Sequence, residues 1–212
     1  MKTSQLIDQL SAEASTHPPK RPLSWPVALG LAVAVGAVLM FALFDVRADL
    51  PDVAMYYGFL LKPIVAALLA IPAIRLIMDV SEPTGEPTRH LPWLAVGFVV
   101  LSIGIALEMM IVSPANWSAR LMGDNPAACA ASVFLIALPI LSMVIFAIRQ
   151  RATVRPVMAG ALAGLFGGAV STFLYAAHCP DDSPFFLAIW YGIAILALIG
   201  TGALAGRLFL RW

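Results

Sequence analysis

Charge is the first shortage in this sequence. Only 12% of its 212 residues are Asp, Glu, Lys or Arg, against 61% hydrophobic. A soluble domain cannot hide that much apolar surface, so the composition excludes an ordinary globular protein and points to a chain that crosses a membrane repeatedly. Neither sign dominates: thirteen basic and twelve acidic side chains leave a net charge of +1. No global field draws the chain to nucleic acid, and direct nucleic-acid binding is not expected. Cysteine is scarcer still, with two in all and no C-x-x-C. Two are too few for a disulfide scaffold and leave a single disulfide or a reactive pair. Catalytic signatures are missing too: there is no H-E-x-x-H, no G-x-S-x-G, no Walker loop and no dinucleotide fingerprint. Neither an enzymatic activity nor a cofactor is therefore expected. No cleavable signal peptide is evident. The first apolar run, Trp25 to Phe44, follows a polar tail and is long for an h-region, so it reads as a retained signal anchor.

Long apolar runs are what the chain does have. Six occur, at about 25–44, 57–78, 91–112, 127–148, 156–177 and 185–206. Each is close to the ~20 residues that cross the hydrocarbon core as a helix. The expected fold is an all-α membrane protein: a six-helix transmembrane domain over 25–212 behind a short amino-terminal segment, 1–24. Trp25, Tyr56, Tyr57, Trp93, Trp117, Trp190 and Tyr191 cluster towards span ends, as interfacial aromatics do. Pro63, Pro72 and Pro139 sit inside spans, where a kink is tolerated. Lys62 and Arg75 lie near the two ends of the second span and are expected to snorkel to the interfaces. Spans five and six share Gly160-Ala161-Leu162-Ala163-Gly164 and Gly202-Ala203-Leu204-Ala205-Gly206. Small residues four apart let backbones approach closely in lipid, so these two helices are expected to pack on each other or on a second copy in a homo-oligomer.

Basic residues set the expected orientation. With the amino terminus inside, the inner face holds Lys2, Lys20, Arg21, Arg75, Arg89, Arg149, Arg151, Arg155, Arg207 and Arg211, and the outer face only Arg47, Lys62 and Arg120. The positive-inside bias then puts both termini in the cytoplasm. The outer loops become about 45–56, 113–126 and 178–184. Cys129 falls within a turn of the outer end of span four, and Cys179 just beyond the outer end of span five. Both thiols face the non-cytoplasmic side, where a disulfide is permitted. A disulfide needs Cα atoms within ~7 Å, and two unrelated buried thiols remain the alternative.

His178, Asp181, Asp182 and Glu108 add donors near the same face. Cysteine, histidine and carboxylate together form a soft-to-borderline metal set, although nothing here has fixed ligand spacing. Glu108 lies about a turn inside span three, where snorkelling is the expectation ahead of ligation. His178 is expected to be a solvated loop side chain. Asn116-Trp117-Ser118 matches a glycosylation sequon, a pattern short enough to arise by chance. In the amino-terminal segment, Thr3 or Ser4 could cap a short helix that Pro18, Pro19 and Pro22 terminate. Leu6, Ile7 and Leu10 are its clustered apolar side chains. The segment is either a disordered tail or a short motif that folds against a partner.

The run Arg120-Leu121-Met122-Gly123-Asp124-Asn125, then Cys129, the Arg149–Arg155 basic loop, Pro156, Gly160-Ala161-Leu162-Ala163-Gly164 and His178-Cys179-Pro180-Asp181-Asp182-Ser183-Pro184 with Trp190-Tyr191 resembles the NrsF family. Met1-Lys2-Thr3 and Leu6-Ile7-Asp8-Gln9-Leu10 resemble its amino terminus, so the likeness spans the chain. The resemblance implies a six-span anti-sigma factor of the bacterial inner membrane that holds an extracytoplasmic-function sigma factor inactive. It also implies that Cys129 and Cys179 help to sense oxidants or heavy metals. Two readings of other classes remain. A small transporter or channel would need a polar pathway through the bundle. A quinone-linked thiol oxidoreductase would need a catalytic dithiol motif, which the chain lacks.

Overall fold

The computed structural model describes residues 3–16, 22–83, 85–86 and 89–210. Lys2, Lys20, Arg21, Arg211, Pro18 and Pro19, and the side chain of Leu10, lie outside the described residues. Every regular element among the described residues is helical. Helix α1 (Thr3–Thr16) carries Leu6 and Ile7 exposed. The long helices are α2 (Trp25–Leu43), α4 (Tyr57–Val80), α5 (Leu91–Ile111), α7 (Pro126–Arg149), α8 (Pro156–Tyr175) and α9 (Pro184–Phe209). All six are long and apolar enough to cross a membrane. Two short helices, α3 (Leu50–Val53) and α6 (Trp117–Met122), lie in the connections.

Proline helps to set these boundaries. Pro126, Pro156 and Pro184 open α7, α8 and α9, at a position whose N–H would have no intrahelical partner anyway. Pro63 and Pro72 lie inside α4 without ending it. Helix α9 contains a π-helical turn over Leu187–Tyr191. Such a turn shifts the register of the side chains by one residue, and Tyr191 is fully buried there.

Helix α8 is the central strut, packed against α4, α7 and α9, while α2 lies on α7 and α5 on α4. The α8–α9 seam is made by glycine. A Cβ added at Gly160 would collide with the Gly202 carbonyl, one at Gly164 with the Leu198 carbonyl, and one at Gly206 with the Pro156 carbonyl. The backbones touch, so backbone dispersion takes the place that side chains would fill elsewhere.

Hydrogen bonds identify the two ends of the bundle. At one, Leu23 N–H donates to Gln150 Oε1 (2.9 Å), Arg151 Nη2 to Leu23 O (2.8 Å) and Thr153 Oγ1 to Val80 O (2.7 Å). This end gathers the start of α2, the end of α4 and the α7–α8 connection. The opposite end gathers the α2–α4, α5–α7 and α8–α9 connections, and it holds both cysteines.

Candidate functional site

Local structure brings the thiols together. Asn125 caps α7, its Oδ1 accepting from Ala128 N–H (3.4 Å), and Cys129 sits in the first turn, facing inward. Helix α8 ends at Tyr175, and the next turn is closed by Cys179 N–H donating to Tyr175 O (3.1 Å). The two sulfurs lie 3.4 Å apart, both buried and both free thiols. Gly123, with φ of +55°, makes the turn between α6 and α7 in a conformation that favours glycine. That turn presents Asp124 N–H to Asp181 Oδ1 (3.2 Å), which fixes Asp181 over the sulfurs.

Ligand atoms of Cys129, Cys179 and Asp181 all lie within 4.8 Å of one another. Of the other sequence candidates, neither His178 nor Glu108 joins them. The His178 Nδ1 lies 2.7 Å from the Asp45 carbonyl, and its ring packs against Phe44 and Tyr175. Glu108 does not snorkel. It is 0% exposed, with Arg120 Nη2 at 2.8 Å and Ser183 Oγ donating to its other oxygen at 2.8 Å. A neighbouring helix supplies the cation, so the carboxylate needs no route to water.

Lys62 also departs from the snorkelling expectation. Its side chain is 1% exposed, and its Nζ lies 2.8 Å from Asp182 Oδ1 and donates to the Cys179 carbonyl at 3.0 Å. Arg47 completes the arrangement, 2.9 Å from Asp182 Oδ2, 3.2 Å from the Cys179 carbonyl and 2.7 Å from Asp49. Burying an ammonium is tolerable only with a paired charge and satisfied N–H groups, and Asp182 with the Cys179 carbonyl provides both. On sequence alone, Asp182 is only loosely grouped with the thiols and Lys62 is unrelated to them. The signal that points to Lys62 is a lysine six residues into an apolar helix with no acidic residue one turn away.

Two tyrosines frame the sulfurs: the Tyr175 hydroxyl lies 3.9 Å from Cys129 Sγ, and Tyr191 is fully buried beside them. The Cys129 thiol 3.4 Å away lowers the Cys179 pKa most; burial opposes this, and the nearby Lys62 charge adds to the lowering. Burial raises the Asp181 pKa, against the pull of the Asp124 N–H. Chemically, this arrangement can do two things. The thiols can lose two electrons and two protons to close a disulfide, which needs the sulfurs to approach to ~2.05 Å. Alternatively, two thiolates and the Asp181 carboxylate can surround a soft cation.

The chain matches the family model described as NrsF, negative regulator of sigma F, over residues 10–212. It is 34% identical over 218 residues to the anti-sigma-F factor NrsF of Caulobacter vibrioides (strain NA1000 / CB15N). It is 31% identical over 215 residues to the probable anti-sigma-F factor NrsF of Azospira oryzae (strain ATCC BAA-33 / DSM 13638 / PS). Both alignments cover 100% of each chain. No solved structure matches.

Proposed function

The chain belongs to the NrsF family of negative regulators of sigma F, and from that premise we propose that it is a redox- and metal-responsive anti-sigma factor of the bacterial cytoplasmic membrane. It holds an extracytoplasmic-function sigma factor at the inner face and releases it when Cys129 and Cys179 react with an oxidant or a heavy metal. The observation that carries this reading is the 3.4 Å contact between two buried thiols on different helices. An oxidant that accepts two electrons joins the sulfurs, and a thiophilic cation bridges them with Asp181. Either event ties α7 to the α8–α9 connection.

Charge supports the orientation. Among the described residues, the basic side chains at the thiol end are Arg47, Lys62 and Arg120, and each has a carboxylate partner. The remaining ten are the excess that the positive-inside rule assigns to the cytoplasm, together with both termini. Segment 1–24 then lies on the sigma-factor side, with Leu6, Ile7 and Leu10 offered as the apolar contact. To move a partner from mostly bound to mostly free, the two states must differ by several kcal/mol, about 5.5 for a shift from 99:1 to 1:99. Formation of a covalent or metal–thiolate bond is a sufficient source.

Sigma-dependent transcription tests the proposal, measured before and after exposure to oxidant or cadmium. Cys129→Ser, Cys179→Ser and the double variant should each keep repression and lose the normal response, with the double variant resembling either single one. A normal dose response in the double variant would take the thiols out of the mechanism.

A further inference from the structure

The charges carried by the long helices are not treated alike. Lys62, Asp79 and Glu108 each have an ion-pair partner within the protein. Arg75 has no hydrogen bond or ion pair among the described residues, although it lies five residues before the end of α4 and is exposed on its surface. That places its Cα about 7.5 Å inside the helix end at 1.5 Å per residue. A snorkelling arginine at that depth carries its guanidinium towards head-group level, where it still lacks a counter-charge from the described residues.

The surroundings of Arg75 suggest what supplies that counter-charge. It lines a groove of about 280 Å³ between α4 and α5, walled by Leu68, Ile71, Trp93 and Val96. Ile71 and Trp93 are both 62% exposed, so the groove opens sideways from the bundle. The Asp79 carboxylate, the acidic group nearest along α4, is occupied by His90 Nδ1 at 2.8 Å. One end of the groove is therefore cationic with an indole beside it, and the rest is hydrocarbon.

We propose that this groove binds an anionic phospholipid, with the phosphate on the Arg75 guanidinium and an acyl chain along Leu68, Ile71 and Val96. The guanidinium fork matches two phosphate oxygens, which a neutral side chain cannot do. Trp93 is of the type enriched at head-group depth. Basic pockets between helices are the established physical solution for holding anionic head groups. The site is at the opposite end of the bundle from the thiols and does not depend on their role.

Native mass spectrometry of the purified full-length chain tests this, with equal phosphatidylglycerol and phosphatidylcholine of the same acyl composition added in detergent. The wild type is expected to retain phosphatidylglycerol about fivefold more than phosphatidylcholine, the effect of one interfacial arginine. Arg75→Gln should abolish the preference, and Arg207→Gln, on the last turn of α9, should leave it intact. Equal retention by the wild type would overturn the proposal and leave an apolar groove only. A preference that survives Arg75→Gln, or that is lost in Arg207→Gln, would place the head group elsewhere and also overturn it. If Arg75→Gln is not monodisperse, Arg75→Lys carries the test: it keeps the charge without the fork, and a preference equal to wild type would refute the two-oxygen contact.

Discussion

Replacing Lys62 by methionine removes one of the two cations that hold Asp182 and one of the two donors to the Cys179 carbonyl. Removing one member of a buried pair costs about 3–5 kcal/mol, because the other charge is left uncompensated. Here Arg47 stays 2.9 Å from Asp182 and 3.2 Å from the Cys179 carbonyl. Compensation is then partial, and Lys62→Met should cost about 2–3 kcal/mol. Asp182→Asn should cost a similar amount by leaving Lys62 beside a neutral amide. The double variant removes the pair as a unit, so its cost should fall short of the sum of the single costs by about 1–3 kcal/mol. Reversible unfolding in mixed micelles, followed by helicity, gives the three values. Costs that add to within about 0.5 kcal/mol would refute direct coupling between the two side chains. A second readout comes from the sulfur. The Lys62 charge is among the influences that lower the Cys179 pKa. Its loss disfavours the thiolate, the reactive form, so the pH midpoint of Cys179 alkylation should rise and the rate at a fixed pH below that midpoint should fall.

Gly164→Leu should destabilise the bundle by more than the usual 1–3 kcal/mol of overpacking, since the obstacle is the Leu198 carbonyl and not a side chain that can rotate; thermal denaturation in detergent measures it, with Gly200→Leu, which meets open space, as the control. Leu6→Asp with Leu10→Asp should abolish co-purification of the sigma factor while leaving membrane insertion intact, because burying each such apolar side chain against a partner is worth roughly 1.5–3 kcal/mol. Reporter fusions after Arg151 and after Asp182 should report opposite sides of the membrane; the same side for both would undo the loop assignment.

The helices were legible because span length and hydropathy are local properties. The α8–α9 seam was legible because glycine at every fourth position has few meanings in lipid. What escaped was pairing over distance. Lys62 meets Asp182, and Glu108 meets Arg120 and Ser183, across connections that hydropathy does not register. Snorkelling was the expectation for Lys62 and Glu108 because it is the cheapest fate of an isolated charge. Neither is isolated once the bundle closes. His178 was expected as a solvated loop side chain and an additional donor; its Nδ1 instead lies on the Asp45 carbonyl, a long-range pairing that its place beside Cys179 does not register. Tyr191 was read as an interfacial aromatic, and the π-helical turn in α9 accompanies its burial.

The double grip on the Cys179 carbonyl has a mechanical consequence. Closing the sulfurs from 3.4 Å to the ~2.05 Å of a disulfide needs a displacement of more than an ångström, and something must yield. Cys179 is anchored through its backbone by cations from two separate segments, Arg47 after α2 and Lys62 on α4. Cys129 is held by the first turn of α7, where its N–H donates to Asn125 O at 3.1 Å, and by the Tyr175 hydroxyl 3.9 Å from its sulfur, with no cation on its own carbonyl among the described residues. If the proposed disulfide closes, the doubly anchored Cys179 makes the start of α7 the side expected to yield. The far end of α7 carries Arg149 into the connection where Gln150 and Arg151 grip Leu23, the residue leading into α2. On the proposed function, α7 is therefore the helix that links the reacting sulfur at one end of the bundle to the stretch that follows the amino-terminal segment at the other.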